Sequence, residues 1–266
     1  MKKCLCLWPD SIYKTKSENL FTMTRNLLLI SNSTNQGEEY LGWPRPYIKD
    51  FFEGYQVSRI LFIPYAGISL ASTLTDSYNR YEENVKQVFS KLGFDIYSIH
   101  HEADPIKAVA DAEAIAIGGG NTFHLVSMMH KLGLMDAVKA RVLTGVPFAG
   151  WSAGSNVACP TLMTTNDMPI IEPPSFKCMG LIPFQINPHY LDKNPEGHGG
   201  ETREARIEEF LIVNPEMKVV GLREATLLRV HGNHMSLLGS RKMRIFSSGA
   251  EPQEYEPASD LSFLLG

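Results

Sequence analysis

The chain has 266 residues, 44% of them hydrophobic and 20% charged, with a formal net charge of -4, which suits one sizeable soluble core. The absence of a long lysine and arginine block argues against a nucleic-acid partner. The absence of any apolar run near the roughly 18 to 20 residues of a membrane span argues against a membrane anchor.

Residues 1–25, with "PDSIYKTKSENLFTMTR", are polar and aperiodic and are expected to form a poorly ordered extension. Such an extension could cover a surface, contribute to a homodimer or hang free. The apolar "CLCLW" is too short for a signal-peptide core, so a cytoplasmic protein is expected. Cys4, Cys6, Cys159 and Cys178 show no zinc spacing and are expected as reduced thiols.

From Asn26 the pattern is regular, and residues 26–266 are read as a single domain. "NLLLISNS" and "RILFIPYAG" are apolar runs ending in turn formers, the pattern of strands buried on both faces of a parallel sheet. The segment 76–92 carries Tyr81, Val85, Val88 and Phe89 at helical spacing, with Gly93 as a stop. "FDIYSIH" reads as a strand, "DPIKAVADA" as a short helix and "AIAIGGG" as a strand entering glycines. This alternation predicts an α/β fold with a doubly wound, mostly parallel sheet, whose ligands sit outside the carboxyl ends of the strands.

"VPFAGWSAGSN" follows with a serine between glycines, directly after a predicted strand. The G-x-S-x-G spacing allows two readings: Ser152 caps a helix starting at Ala153, or it is the nucleophile of a sharp strand-to-helix elbow. The strand before it and the small residues after it favour the nucleophile.

Past residue 160 the chain is rich in loops and prolines, then "ETREARIEEFLIV" reads as a helix. "KVVGLREATLLRVHGNHMSLLG" and "RKMRIFSSG" read as antiparallel strands with a turn near Gly232. The second half of the chain is expected to decorate the sheet.

A serine nucleophile needs a base and an acid to orient it. Of the eight histidines, His100, His101, His124, His130, His231 and His234 fall on predicted strand ends, a helix or a turn, and His198 lies in a glycine-rich loop. His189, ending the apolar run of "FQINPH", is the candidate base. Asp167 and Glu224 are isolated carboxylates, and either could orient it. "GGGNT" at 118–122 offers backbone N–H groups, suited to a phosphate or to an oxyanion hole of Gly119 and Ala153.

The runs "IGGGNTFHL", "GWSAGSNVACPTLMTTNDMPI", "QINPHY" and "EGHGGETREARIEE" together resemble the serine peptidase family that contains peptidase E, an aspartyl dipeptidase, and cyanophycinase. The resemblance runs from Asn26 to about Gly249. It implies a flavodoxin-like sandwich related to class I glutamine amidotransferases, with neither metal nor cofactor. It implies small peptides with an N-terminal aspartate as substrates, Ser152 as nucleophile, His189 as base, Asp167 as the acid with Glu224 competing, and Arg203 as the cation that reads the aspartate side chain. Ser155 replaces the alanine of the family pattern. The alternatives are β-aspartyl isopeptide cleavage of the cyanophycinase type, an α/β-hydrolase esterase, and a non-catalytic nucleotide-binding module. The last lacks the G-x-G-x-x-G fingerprint.

Overall fold

The computed structural model describes residues 24–266 except positions 195 and 198. The expected extension up to residue 23, with Cys4 and Cys6, and His198 lie outside the described residues. Thr24 and Arg25, counted with the extension, are tied down instead: Thr24 forms a bridge with Thr144 and the Arg25 guanidinium donates to the Leu181 carbonyl at 2.9 Å.

Five short apolar runs form the parallel part of the main sheet. They are β1 (Asn26–Ile30), β2 (Arg59–Ile63), β3 (Asp95–Ser98), β4 (Ile115–Ile117) and β5 (Phe148–Trp151), arranged β3-β2-β4-β5-β1. Beyond β1 the hairpin β8 (Thr226–His231) and β9 (His234–Gly239) continues the sheet antiparallel, turning at Gly232. Burial on both faces explains why β1 is apolar from Leu27 to Ile30. Leu27 and Leu29 pack on one face with Ile115, Ile117 and Phe148, while Leu28 and Ile30 pack on the other with Ile60, Phe62 and Trp151.

Helices cover both faces. α1 (Arg45–Glu53) and α2 (Leu74–Lys91) lie on the Leu28 face, through Phe51, Phe52, Tyr81 and Phe89. α3 (Pro105–Asp111), α4 (Thr122–Lys131) and α5 (Leu134–Leu143) lie on the Leu27 face. Thr73 caps α2 by accepting from the Asp76 amide, and Asp104 caps α3 by accepting from the Lys107 amide.

The second half does more than decorate. β6 (Gln185–Pro188), β7 (Lys218–Leu222), β10 (Met243–Ser247) and β11 (Gln253–Tyr255) build a separate sheet, ordered β11-β10-β7-β6. The "KVVGL" run, read as an antiparallel partner of the run after it, instead pairs parallel with β6 and antiparallel with β10. Alternation identifies a strand but carries no partner information. α7 (Arg203–Val213) packs on this sheet. No helix among the described residues is long and apolar enough to cross a membrane. Cys159 is buried and Cys178 partly buried, both free, and burial raises both thiols, Cys159 to about 12.

Candidate active site

The carboxyl ends of β1, β2, β4 and β5 meet in one cleft, and β5 delivers Ser152 to it. The chain reverses there into the short helix α6 (Ala153–Asn156), with Ser152 at φ 54° and ψ -113°. A side chain in that sparsely populated region costs of order 1–3 kcal/mol, so surrounding contacts must hold it. The Ser152 amide donates to the Ile30 carbonyl at 3.0 Å. The glycines of the motif serve close approach: a Cβ on Gly150 would fall 2.2 Å from the Gly154 carbonyl oxygen, and one on Gly154 would fall 2.0 Å from that of Ile117. Ser155, where the family pattern has alanine, is fully buried and its hydroxyl lies 2.8 Å from both the Ile30 and the Gly150 carbonyl oxygens. It ties the elbow to the two strands below it.

Ser152 makes no side-chain cap on α6. Its Oγ lies 3.0 Å from His189 Nε2, and His189 Nδ1 lies 2.9 Å from Glu224 Oε1. A carboxylate can only accept, so Nδ1 carries the proton and Nε2 is left to accept from the serine hydroxyl. The acid facing His189 is therefore Glu224 and not Asp167, which corrects the order of preference drawn from sequence. Asp167 Oδ2 is occupied by the Thr122 amide at 2.7 Å, the Thr122 hydroxyl at 2.6 Å and the Thr165 hydroxyl at 3.1 Å. Asp167 thus pins its loop to the first turn of α4, where an anion is favoured by unpaired amides and the helix dipole.

Residues that carried no sequence signal hold this arrangement. The Ser31 hydroxyl accepts from the His189 amide at 3.0 Å and donates to the Leu222 carbonyl at 2.7 Å. Asn32 Oδ1 accepts from the Ala225 amide at 2.9 Å, beside Glu224. His189 and Ala225, at φ 52° and 60°, are left-handed non-glycine residues fixed by these bonds. "SNS" after β1 read only as turn formers. Its place at the carboxyl edge of a central strand was the available clue. Arg223, next to Glu224, forms ion pairs with Asp192 at 2.5 Å and Glu254 at 2.7 Å, joining the segments that carry His189 and Glu224. The Arg223 guanidinium, with Arg244 beside it, holds the Glu254 carboxyl down at about 2.

The three glycines after β4 each meet a different wall. A Cβ on Gly118 would fall 2.3 Å from the Tyr81 hydroxyl, one on Gly119 3.0 Å from the Ser152 Cβ, and one on Gly120 2.1 Å from the Ala66 carbonyl oxygen. Among the described residues no partner is recorded for the amides of Gly119, Gly120 or Ala153. Donors of that kind beside a serine suit a developing oxyanion.

Ser152, His189, Gly119, Gly120, Asn121, Asp167 and Tyr40 line a common cavity of about 690 Å³. Arg203 does not. It opens α7 on a separate cavity of about 330 Å³, with Asn166, Arg206 and Phe210. Its guanidinium is partly desolvated, which together with Arg206 lowers its pKa, and Asp167 opposes that shift. Three of the other described histidines serve elsewhere: His124 contacts the Tyr65 carbonyl, His130 the Lys177 carbonyl, and His231 Asn26. Glu82, buried on α2, and His100 and His101, in the turn after β3, bring ligand-type atoms within 4.8 Å of one another, and Lys86 pairs with Glu82.

A family model described as peptidase family S51 matches residues 27–238. A protein named Peptidase E from Nostoc sp. (strain PCC 7120) is 48% identical over 91% of this chain and 98% of its own length. One of the same name from Streptomyces coelicolor is 45% identical over 90% of this chain and 95% of its own. The crystal structure of a peptidase from an acI-B1 Actinobacterium superposes with a TM-score of 0.65 at 18% identity, covering 91% of this chain and 98% of that one. That structure shows a shared fold.

Proposed function

The chain belongs to peptidase family S51 and is a serine peptidase, and on that premise we propose that it hydrolyses dipeptides beginning with L-aspartate through an acyl-enzyme on Ser152. The observation that carries the reading is the continuous hydrogen-bonded line Ser152–His189–Glu224 at 3.0 and 2.9 Å, opening into a cavity of about 690 Å³. His189 Nε2 takes the serine proton as Oγ attacks the scissile carbonyl. The oxyanion meets the amides of Ala153 and the Gly119–Gly120 segment. His189 then protonates the departing amine and draws a proton from the water that releases aspartate, while Glu224 stabilises the imidazolium in both halves.

Substrate choice rests on two opposite charges. Asp167 lines the cavity, and no partner is recorded for its Oδ1 among the described residues, so it suits the α-ammonium of a free N-terminus. Arg203 is a partly buried arginine for which no side-chain hydrogen bond or ion pair is recorded among the described residues, the Asp167 carboxylate being near enough to favour its charge. A desolvated guanidinium gains most from a bidentate carboxylate, which an aspartate side chain supplies. The free thiols of Cys159 and Cys178 fit the cytoplasmic location we assign.

Wild-type enzyme is expected to cleave Asp-Leu far faster than Asn-Leu or Glu-Leu. Asparagine leaves the guanidinium without its charge partner, and the extra methylene of glutamate shifts either the carboxylate or the scissile bond. Arg203→Met should lose most of the preference for Asp-Leu over Asn-Leu in kcat/KM. Discrimination equal to wild type would move the recognition cation to another residue.

A further inference from the structure

A glycine-rich oxyanion loop poses a physical difficulty. Removing three side chains lets the backbone approach Ser152, but it also frees the peptide planes to rotate, and transition-state stabilisation depends on donors already in place. Some group outside the loop has to fix them.

Tyr81 is so placed. It lies on the buried face of α2, 5% exposed, and its hydroxyl donates to the Gly119 carbonyl at 2.9 Å. The same oxygen accepts from the indole N–H of Trp151 at 3.1 Å, which leaves its single proton committed to Gly119. Trp151 is itself immobilised, its ring stacked on Phe62 at 5.9 Å and 8°. It is also the residue immediately before Ser152, so the bridge Trp151–Tyr81–Gly119 joins the nucleophile's strand to the oxyanion loop. Burial raises the Tyr81 phenol to about 12, and the hydroxyl keeps its proton at any pH at which the peptidase would work.

Gly67 and Gly118 are shaped around this ring. A Cβ on Gly67 would fall 2.3 Å from Tyr81 Cδ1, and one on Gly118 2.3 Å from the hydroxyl. Two glycines yielding to one tyrosine indicate a contact the loop is built on. A trans peptide sets its carbonyl and its N–H on opposite sides. With the Gly119 carbonyl held by the Tyr81 hydroxyl, the N–H of the same peptide unit, that of Gly120, points to the opposite side of the peptide, in the wall of the cavity that Gly120 shares with Ser152.

We propose that Tyr81 is a positioning residue for the oxyanion hole: by holding the Gly119 carbonyl it aims the Gly120 N–H at the carbonyl oxygen of the substrate attacked by Ser152. The inference rests on the serine-peptidase reading above and adds to it a donor, Gly120, and the group that orients it. Tyr81 also forms part of the cavity wall, but in this role it acts through the Gly119 peptide, so loss of its hydroxyl is felt in the transition state more than in substrate affinity.

The test compares wild type, Tyr81→Phe and Tyr78→Phe in steady-state hydrolysis of Asp-Leu, with melting temperatures for all three. Tyr78 lies one turn earlier on the same helix, equally buried, and its hydroxyl has no partner among the described residues. Loss of one oxyanion donor costs about 10²–10³ in kcat, so Tyr81→Phe should lower kcat by about tenfold or more. Its KM should move less than about twofold, the signature of an interaction made only in the transition state. Tyr78→Phe should match wild type in both constants. The proposal is overturned if folded Tyr81→Phe keeps the wild-type kcat, if the loss appears in KM, or if Tyr78→Phe loses kcat equally. A wild-type enzyme inactive on Asp-Leu would overturn the substrate reading itself, a result distinct from any of these.

Discussion

Ser152→Ala is expected to abolish Asp-Leu hydrolysis, with kcat falling by about 10⁶, the scale seen when the nucleophile of a serine-protease triad is removed. The expectation follows from what the hydroxyl does and does not do. Among the described residues its one hydrogen bond is to His189 Nε2, and it takes no part in capping α6. The elbow is held by the Ser152 amide on Ile30, by the buried Ser155 hydroxyl and by the close approach of Gly150 and Gly154. All of these survive the substitution, so the melting temperature should change little. Measured kcat and thermal unfolding on the same preparation check both halves of the statement.

Glu224→Gln is expected to have the second-largest effect, lowering kcat by about 10⁴, as when the triad aspartate of a serine protease is replaced by its amide. Glu224 Oε1 accepts from His189 Nδ1 at 2.9 Å and fixes the tautomer in which Nε2 is free to accept. An amide can present an N–H to Nδ1 instead, which transfers the ring proton to Nε2 and removes the base. Asp167→Asn should behave differently. Its carboxylate serves Thr122 and Thr165, contacts that an amide oxygen can largely keep. What it loses is a negative charge on the cavity wall, so the variant should raise KM for Asp-Leu and reduce kcat far less than Glu224→Gln does. The opposite ranking would return the orienting role to Asp167.

The difference between these two carboxylates marks where the sequence stops being legible. Ser152 and His189 sit in local motifs with distinct chemistry, a serine elbow after a strand and a histidine closing an apolar run. Their meeting needs only that both runs end at the same edge of the fold. Asp167 and Glu224 are equally isolated along the chain, and what separates them is tertiary. Glu224 follows β7, which pairs parallel with the β6 strand that ends before His189, so the two turns lie side by side. The sequence shows β7 as a strand but not its neighbours, since period-two alternation is silent on pairing. Ser31 and Asn32 were hidden for a related reason. Their signal was that of a turn, and their function depends on His189 and Ala225, 158 and 193 positions away.

The parallel half of the main sheet was the most readable part. Leu27 to Ile30 is apolar at every position because the strand is covered on both faces, and that pattern needs no knowledge of partners. The glycines were readable as turns, while their reasons were not. Gly118, Gly119 and Gly120 each answer to a different neighbour, Tyr81, Ser152 and Ala66, from three separate parts of the chain.

The central claim is that aspartyl dipeptides are cleaved through a covalent intermediate on Ser152, and nucleophile partitioning tests it most directly. Hydrolysis of Asp-Leu and of aspartyl p-nitroanilide is run with hydroxylamine present, and aspartyl hydroxamate and aspartate are quantified for wild type and Ser152→Ala. A shared acyl-enzyme forgets its leaving group. The account predicts the same hydroxamate-to-aspartate ratio from both substrates, and neither product from Ser152→Ala. A ratio that follows the leaving group, or hydroxamate formed without the Ser152 hydroxyl, would contradict it.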